Sequence, residues 1–299
     1  MKNKKLATLV GEYYLSFDFN ALRQETKVQY QYFLEVMLDT KIGTAQNLGS
    51  INFSDITTKM AKVSYDLWCE RGIHLANHVM SVTRVVYNYG IHMEHCTINP
   101  FTTIKKRVPK PRKTVWSKQD VINFLDTAYS NFNTRSLGLI VQMAYEWCQR
   151  LGDMRLLKWE NLDLTNKRMH IEQSKRRAEV FLPISDELCS MLVQQEKDFG
   201  FQELVAPRPR PQRGQYHPYS ITKLPTVGRK VMDSAGLSKE LRLSDLRRTG
   251  TTEMVDAGVS MGNIMSVTGH TNPQSVKPYM KNTFTSANLA LEKRKKLTV

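Results

Sequence analysis

Residues 149–159, QRLGDMRLLKW, form a junction between apolar segments in the second half of the chain. It follows an apolar helical pattern over residues 137–145 and carries Leu156, Leu157 and Trp159, whose expected burial predicts that the chain returns to a core. Arg150 therefore stands at a turn between two buried segments. A cation on such a rigid support is well placed to bind a phosphate through two parallel hydrogen bonds.

Strands are few in the sequence that follows. Two short alternating runs, MHIEQ (169–173) and EVFLP (179–183), predict a β-hairpin with Lys175 at its tip. Helical patterns return over residues 244–256 and 261–267. The predicted fold class is therefore mainly α with a small β-sheet (α+β).

The first hundred residues are predicted to be all-helical. Apolar spacings of three and four residues indicate helices near residues 6–17, 26–37, 56–67 and 75–86. Ser54 is expected to be the N-cap of the third of these helices. The apolar face expected of the second helix is formed by Val28, Tyr32, Phe33, Val36 and Met37.

A basic segment interrupts the helical pattern. KKRVPKPRK, residues 105–113, has six basic residues, two prolines and no acid, a composition typical of an exposed, semi-rigid linker. The sequence therefore predicts a helical domain over residues 1–104, a basic linker over residues 105–114, and a second domain over residues 115–299.

The charge of the chain predicts a polyanionic partner. Its 43 Lys and Arg against 28 Asp and Glu give a formal charge of +15, and nucleic acid is the polyanion expected first. Solubility alone is the alternative explanation of the charge. A membrane surface is not expected, because we find neither a basic amphipathic helix nor a lipidation motif. The residues expected to contact DNA are Lys105, Lys106, Arg107, Lys110, Arg112, Lys113, Arg176 and Arg177.

Several other classes of protein are not favoured by the sequence. It has no apolar run of about 18 residues, and its start lacks the pattern of a signal peptide. The four cysteines are far apart, which suits a reducing compartment. No Walker, GxSxG or GxGxxG motif occurs, so no cofactor is expected. Five possible zinc ligands fit no standard spacing, so no metal is expected and they are interpreted as polar residues near helix ends: His74, His78, His92, His95 and Cys96.

Four features occur in a fixed order along the chain: QRLGDMRLLKW (149–159), Lys175 eight residues before Pro183, SDLRRT (244–249) and TGHTNPQSVKPY (268–279). With these features, residues 115–285 resemble the tyrosine recombinases, the phage integrase family. The resemblance implies an N-terminal helical core-binding (SAM-like) domain and a C-terminal DNA breaking-rejoining catalytic domain. It also implies catalytic roles for Arg150, Lys175, Arg247, His270 and Tyr279, with an acidic neighbour at Asp153.

The resemblance further implies a chemistry. Tyr279 attacks a DNA phosphodiester and forms a 3′-phosphotyrosine, with no metal or nucleotide cofactor. Arg150 and Arg247 are expected to stabilise the charge on the phosphate oxygens. Lys175 is expected to protonate the departing 5′ oxygen, and His270 to form a hydrogen bond with the phosphate.

One position departs from the family's pattern. The His-x-x-Arg box begins with Ser244, and a hydroxyl cannot replace an imidazole as a proton donor or acceptor near neutral pH. We interpret Ser244 as the N-cap of the following helix in preference to a direct catalytic role. Three outcomes remain open: Lys175 and His270 carry the proton transfers, or the enzyme is slow, or it is impaired.

The function implied by the resemblance is that of a phage-type integrase, a site-specific recombinase that integrates or excises a mobile element. The implied partners are double-stranded DNA attachment sites, three further copies in a homotetramer on DNA, and DNA-bending or directionality proteins. Residues 285–299 are expected to dock onto a neighbouring protomer. The expected location is the cytoplasm of a bacterial host, with the gene carried by a phage or mobile element.

Three alternatives remain. A Xer-like chromosome-dimer resolvase would share the family and the chemistry. A catalytically impaired relative would only bind DNA, as Ser244 permits. A type IB topoisomerase would share the nucleophile but would relax supercoiled DNA without a preferred sequence.

Overall fold

Two units of the chain, residues 1–112 and 113–299, each have a hydrophobic core of their own. The computed structural model describes residues 4–43, 46–175, 177–280 and 284–297. The boundary between the units lies inside the basic segment 105–113. The architecture is mainly helical with small sheets, which confirms the predicted fold class.

The first unit is helical apart from one short β-ladder. Its 3₁₀ turns are Leu48–Ser50 and Phe53–Asp55. The ladder pairs β1 with β2 antiparallel. Its helices and strands are α1 (Leu6–Leu15), α2 (Phe17–Asn20), α3 (Gln24–Leu38), β1 (Lys41–Ile42), β2 (Gln46–Asn47), α4 (Thr58–Arg71) and α5 (Ile73–His92).

The start of α4 corrects the sequence prediction. Ser54 lies in the 3₁₀ turn before the helix, and the N-cap is Thr57, whose hydroxyl accepts a hydrogen bond from the Met60 amide at 3.2 Å. Ser54 as N-cap is therefore wrong by three residues. The helix ends at Gly72, which has φ +139°.

The apolar face predicted for α3 is buried only towards its C-terminal end. Val28 and Tyr32 are 55% and 50% exposed, whereas Val36 and Met37 are buried. Phe33 stacks against His78 of α5, with ring centroids 5.1 Å apart. An apolar stripe is buried only where another element covers it, and the pattern within one helix does not show how far its partner extends.

The C-terminal end of the first unit is fixed to its helices. The Arg107 amide donates to the Tyr65 hydroxyl at 2.6 Å, and the Asn77 side chain donates to the Arg107 carbonyl at 2.8 Å. Arg84 donates to the carbonyl of Phe101 at 2.9 Å. The first residues of the predicted linker are therefore held against α4 and α5.

The second unit combines helices with an antiparallel sheet. Among the described helices of either unit, none is long and apolar enough to cross a membrane. The 3₁₀ turns of the second unit are Trp159–Asn161, Leu243–Asp245, Pro273–Ser275 and Lys277–Tyr279. Its helices and strands are α6 (Lys118–Tyr129), α7 (Phe132–Glu146), α8 (Leu151–Met154), β3 (Leu162–Asp163), β4 (Arg168–Glu172), β5 (Glu179–Pro183), α9 (Asp186–Phe199), α10 (Leu224–Ser234), α11 (Leu246–Asp256), α12 (Met261–Thr268) and α13 (Phe284–Leu297).

The sheet has the order β3-β4-β5, and β4 and β5 form the predicted hairpin. Met169 and Ile171 face the core along β4, as the alternating pattern predicts. The same alternation turns Gln173, the next residue of that series, inward, and it is fully buried. Strand β3 was not predicted, because two residues are too few to show an alternating pattern.

Residues 149–159 return to the core, but of the three apolar residues expected to be buried only Leu157 is, and Trp159 is half-buried. Leu157 is buried, whereas Leu156 is 42% exposed, so the predicted burial of Leu156 is wrong. The chain is turning there, and adjacent side chains of a turn point to different sides.

A glycine allows α11 to pack closely on the end of α7. A Cβ on Gly250 would lie 2.6 Å from the Cys148 sulfur and 2.8 Å from the Tyr145 carbonyl oxygen. Arg247 lies one turn before Gly250 and Arg150 two residues after Cys148, so this contact brings the two arginines towards each other.

Candidate active site

Arg150 lies where the long helix α7 gives way to the short helix α8, of which it is the N-cap residue. Its Nη1 donates a hydrogen bond to Gln173 Oε1 at 2.9 Å. The same nitrogen lies 3.6 Å from Asp153 Oδ2, an ion pair with a buried carboxylate. The guanidinium is thus held between the end of β4 and the next helical turn.

Asp153 connects the hairpin to α8. Its Oδ1 accepts hydrogen bonds from the Ser174 amide, at 3.2 Å, and from the Ser174 hydroxyl. Lys175 is the next residue, exposed at the tip of the hairpin. The base of the tip is therefore fixed beside Arg150, while the lysine side chain extends into solvent.

Arg247 lies in the first turn of α11 and is 9% exposed. Its Nη2 donates to the Thr268 carbonyl at 2.7 Å and lies 3.1 Å from His270 Nε2. Its Nη1 is buried and has no hydrogen-bond partner among the residues that the structure describes. Since an arginine stays charged even when buried, Nη1 retains hydrogen-bonding capacity that the described residues do not satisfy.

The electrostatic surroundings of Arg247 favour a bound anion. Burial lowers the pKa of Arg247, and the positive charge of Arg150 lowers it further. The phenol of Tyr279 acts in the opposite direction, through its charge and a side-chain interaction. Two neighbouring cations repel each other, and a bound anion removes that cost.

His270 is 8% exposed and follows Gly269, whose φ of +67° ends α12 in the left-handed conformation. Its Nδ1 lies 2.7 Å from the Thr268 hydroxyl. Both ring nitrogens therefore have partners, one towards Thr268 and the other towards Arg247.

Tyr279 ends the 3₁₀ turn Lys277–Tyr279 and is half-buried. Its ring centroid lies 6.0 Å from that of His270, and the guanidinium carbon of Arg248 lies 5.4 Å from the same ring centroid. Arg248 was not among the predicted site residues, although it stands next to Arg247 in SDLRRT. The structure thus brings Arg150, Arg247, His270 and Tyr279 together, with Lys175 on the adjacent hairpin.

A cavity of about 760 Å³ opens beside both arginines. Arg229, on its far wall, is occupied with backbone carbonyls, among them Ser238 O at 3.3 Å. The cavity is lined by Gln149, Arg150, Leu151, Gly152, Ile221, Leu224, Pro225, Arg229, Met232, Lys239, Arg242, Leu243, Ser244 and Arg247. Its polar end carries positive charge, as an anion site requires.

Ser244 lines this cavity and is not the N-cap of α11. It lies in the middle of the 3₁₀ turn Leu243–Asp245, and the N-cap position belongs to Asp245. The interpretation of Ser244 as N-cap is therefore wrong, because the extra 3₁₀ turn moves the start of the helix by one residue. The serine side chain is exposed on the cavity wall, at the position where the family's box has histidine.

Two buried glutamines were missed by the sequence analysis. Gln173 accepts from Arg150, and its amide nitrogen donates to Gln149 Oε1 at 2.6 Å and to the Thr268 carbonyl at 2.9 Å. A signal existed for Gln173, because a polar residue at an inward-facing position of a strand needs partners in the core. No comparable pattern marks Gln149.

The residues predicted to contact DNA lie in several environments. Arg107 Nη2 lies 3.2 Å from Asp66 Oδ1, and the Lys106 ammonium donates to the Ser81 hydroxyl. Burial and the charge of Arg84 lower the pKa of Lys106. The exposed residues of the set are Lys105, Lys106, Arg107, Lys110, Lys113 and Arg177, while Arg112 is half-buried. Arg176 lies outside the described residues.

The possible zinc ligands do not meet. His95 Nε2 pairs with Glu12 Oε2 at 2.9 Å, His78 stacks on Phe33, and Cys96 is buried. Within the described ranges, no group of three or more His, Cys, Asp or Glu side chains is arranged to hold a metal ion.

Comparison with known proteins gives a family and a fold. The model of the phage integrase family matches residues 115–286, more than half of the chain. Among proteins with curated functions, none matches the chain in sequence.

Solved structures match over nearly the whole chain. A lambda integrase dimer bound to a COC′ core site is 18% identical, with a TM-score of 0.76 over 93% of this chain and 78% of that one. A lambda integrase tetramer bound to a Holliday junction is 17% identical, with a TM-score of 0.77 over 94% and 78%. The Tn1549 transposon integrase in complex with a circular intermediate DNA is 14% identical, with a TM-score of 0.76 over 97% and 99%. At these identities the likeness establishes the fold.

Proposed function

Because the chain belongs to the phage integrase family, the tyrosine recombinases that its motifs resemble, we propose that it is a site-specific recombinase that integrates or excises a mobile element. It cleaves and rejoins DNA through a 3′-phosphotyrosine on Tyr279. The fold and the family are those expected from the sequence. The nucleophile, the reaction intermediate and the biological role are the content of the proposal.

One observation carries it. Arg247 is buried with Nη1 unpartnered among the described side chains, lines the same cavity as Arg150, and lies close enough to Tyr279 for the phenol to affect its pKa. This arrangement has a place for a phosphate between two guanidinium groups, next to a hydroxyl nucleophile. A buried donor without an acceptor among the described residues needs a partner, and a phosphate oxygen supplies one in the proposed complex.

The proposed reaction exchanges one phosphate ester bond for another. The Tyr279 oxygen forms a bond to phosphorus, the bond from phosphorus to the 5′ oxygen breaks, and Lys175 gives that oxygen a proton. Arg150 and Arg247 stabilise the charge that builds up on the non-bridging oxygens. The reverse attack by the 5′-hydroxyl of another strand reseals the DNA, and no nucleotide hydrolysis is needed because the phosphotyrosine conserves the bond.

The phenol also has to lose its proton. Ser244, on the cavity wall, is a poor proton acceptor near neutral pH, and His270 Nε2 is already engaged with Arg247. Because Tyr279 is only half-buried, we therefore assign the phenol proton to solvent water. We expect cleavage to be slow at neutral pH and to rise as the pH rises.

The assembly on DNA is part of the proposal. Relatives of the same fold have been solved as a dimer on a core site and as a tetramer on a Holliday junction. We propose a homotetramer of this chain on two attachment sites, in the cytoplasm of a bacterial host, encoded by a phage or mobile element and assisted by DNA-bending or directionality proteins. The basic residues of the linker and hairpin are proposed to contact the DNA backbone.

Covalent capture tests the function. The protein is mixed with fragmented DNA from its own source without metal or ATP, quenched with detergent, and the attached DNA is sequenced, with Tyr279→Phe in parallel. We expect adducts at one recurrent site that vanish in the variant. Adducts spread over all sequences would instead indicate a topoisomerase, and a site at the chromosome terminus would indicate a Xer-like resolvase.

The second candidate function is DNA binding without cleavage, and Ser244 is the observation that favours it. Under this alternative, Tyr279→Phe and the parent protein would retain the same DNA and neither would form an adduct. A nicked substrate, from which the 5′ fragment diffuses away, excludes rapid religation as the cause.

A further inference from the structure

The two arginines of the site share an interior scaffold of buried amides. Gln173 Oε1 accepts from Arg150 at 2.9 Å, and Gln173 Nε2 donates to the Thr268 carbonyl at 2.9 Å. The same carbonyl accepts from Arg247 Nη2 at 2.7 Å. The chain of contacts therefore runs from one guanidinium to the other through one side-chain amide and one backbone oxygen.

The orientation of the Gln173 amide is fixed by Gln149. Gln149 Nε2 donates to the carbonyls of Trp147, at 2.8 Å, and Val267, at 2.7 Å, so its oxygen has to face Gln173. That oxygen accepts from Gln173 Nε2 at 2.6 Å. A flipped Gln173 would bring two oxygens together there and would turn its NH₂ group towards the donors of Arg150. Two backbone carbonyls thus determine which end of Gln173 faces Arg150.

The packing leaves the pair no freedom. Gln149 and Gln173 are both fully buried, and a Cβ at Gly269 would lie 2.6 Å from Gln173 Nε2. A wrong orientation is costly in such a place, because every unpaired amide atom loses its hydration without compensation.

We propose that Gln149 and Gln173 are positioning residues for the cleavage reaction: they set the separation and orientation of Arg150 and Arg247 before DNA binds. This inference rests on the proposed function and adds to it two residues that do not touch the DNA. A site that stabilises a transition state gains most from groups that need no rearrangement at the moment of reaction.

The chain provides a matched control for a buried glutamine. Gln195 is also fully buried, accepts from Arg135 at 2.9 Å, and donates to the Ser136 hydroxyl at 2.9 Å and the Val205 carbonyl at 3.1 Å. It makes the same kinds of contact as Gln173, but none with the residues of the site. Gln195→Met therefore reports what the loss of such a residue does to the fold alone.

The experiment compares Gln173→Met, Gln149→Met, the double variant and Gln195→Met in the full chain. Single-turnover cleavage is measured at saturating concentrations of a nicked duplex that carries the captured site. A second duplex carries a methylphosphonate at the scissile position, which removes the charge that the arginines stabilise. Melting temperatures and DNA affinities are recorded for each variant.

We expect Gln173→Met to slow cleavage of the phosphate substrate about 10²-fold, since a displacement near 1 Å is enough for such a loss. The loss of cleavage rate relative to the parent protein is smaller on the methylphosphonate substrate, and the affinity for DNA is unchanged. Gln149→Met loses less, and the double variant is no slower than Gln173→Met, because Gln149 acts through Gln173. Gln195→Met lowers the melting temperature but cleaves at the parental rate.

Equal rates for Gln173→Met and the parent, or equal deficits on both substrates, overturn the inference. If Gln173→Met does not fold, the loss of rate of Gln149→Met on the phosphate substrate is compared with its loss on the methylphosphonate. A smaller loss on the methylphosphonate supports the inference, and equal losses overturn it. If the parent protein cleaves no DNA, the proposed function fails, and crystal structures of the glutamine variants judge the positioning alone. Arg150 displaced in Gln173→Met supports it, and an unmoved Arg150 contradicts it.

Discussion

Arg247 and His270 face each other across 3.1 Å, from Nη2 to Nε2. A guanidinium only donates, so Nε2 accepts and the ring proton lies on Nδ1. The Thr268 hydroxyl supports this tautomer independently, because it donates to the Ile264 carbonyl at 2.7 Å and accepts from Nδ1. Before DNA binds, His270 is therefore a neutral acceptor that holds Arg247. A hydrogen bond from His270 to a phosphate requires that Nε2 first release Arg247.

The first prediction concerns the arginines. Arg247→Lys and Arg150→Lys each keep a positive charge but lose the planar guanidinium, which can donate two parallel hydrogen bonds to a phosphate. We expect each variant to cleave about 10²–10³-fold more slowly, equivalent to about 2.7–4 kcal/mol of lost transition-state stabilisation. Single-turnover cleavage measures this, and Arg168→Lys, on the exposed face of β4, is the control. A tenfold or smaller loss in both variants would contradict the phosphate site.

The second prediction separates Lys175 from its neighbours. Lys175→Ala is expected to slow cleavage about 10²–10⁴-fold through loss of the proton donor. A substrate with sulfur at the bridging 5′ position should restore the rate, because a thiol with a pKa near 8.5 leaves without a proton. Arg177→Ala, on the same hairpin, should show neither the large loss nor the rescue. If Arg177→Ala shows both, the assignment of the proton donor to Lys175 is contradicted, because an arginine does not release a proton near neutral pH.

The third prediction concerns Ser244. Since its side chain is exposed on the cavity wall, Ser244→His has room for an imidazole. We expect this substitution to raise the single-turnover rate at pH 7 by about tenfold or more, and to flatten the rise of the rate with pH. The pH profile from 6 to 9 measures both effects. A slower variant would show that the site has adapted to serine.

The fourth prediction is a pH dependence of the first unit. Glu12 Oε1 lies 2.7 Å from the Lys4 ammonium, and this hydrogen bond, opposed by burial, lowers the pKa of Glu12 below its ordinary value of 4.5. A carboxyl group with a lowered pKa in the folded state stabilises the fold above its unfolded pKa and loses that contribution as the pH falls through the folded value.

We therefore expect α1 to lose protection from hydrogen exchange as the pH falls below about 4.5, after correction for intrinsic rates. Glu12→Gln should remove this pH dependence and lower the protection at pH 7. Asp18→Asn, an exposed acid of α2, should leave the profile unchanged. A pH profile of Glu12→Gln like that of the parent would contradict the assignment.

The fifth prediction concerns assembly. Residues 284–297 form the helix α13, on which Leu291 is 55% exposed. Deleting residues 285–299 is expected to leave single-site cleavage intact and to abolish the pairing of two DNA sites. Gel filtration and electron microscopy of the DNA complexes measure this. Intact synapsis after the deletion would contradict a docking role for the segment.

Much of the fold and of the candidate site was predictable from the sequence. The β4–β5 hairpin follows from local rules, and the structure confirms it. The resemblance to the phage integrase family implied that Arg150, Arg247, His270 and Tyr279 belong together, and the structure places them around one region. Their catalytic roles remain predictions.

The sequence predictions that failed depended on packing between segments or on the exact residue at which a helix begins. The exposure of Val28 depends on where α5 stops covering α3, and the position of Ser244 depends on one extra 3₁₀ turn. Gln149 looks like an ordinary polar residue until α12 packs against it. The contact from Gln149 to Val267 joins residues 118 positions apart, and no local pattern encodes it.

The Thr268 carbonyl, on which Gln173 and Arg247 converge, is a main-chain atom. A point mutation exchanges side chains and leaves this oxygen in the polypeptide, whatever residue follows or precedes it. The centre of the scaffold is therefore protected from mutation in a way that none of the surrounding amides or guanidiniums is. The position that is sensitive to mutation is instead Gly269, because any side chain there would turn the following peptide and meet Gln173. Variation among descendants of this chain should therefore be scarcest at a residue that carries no functional group.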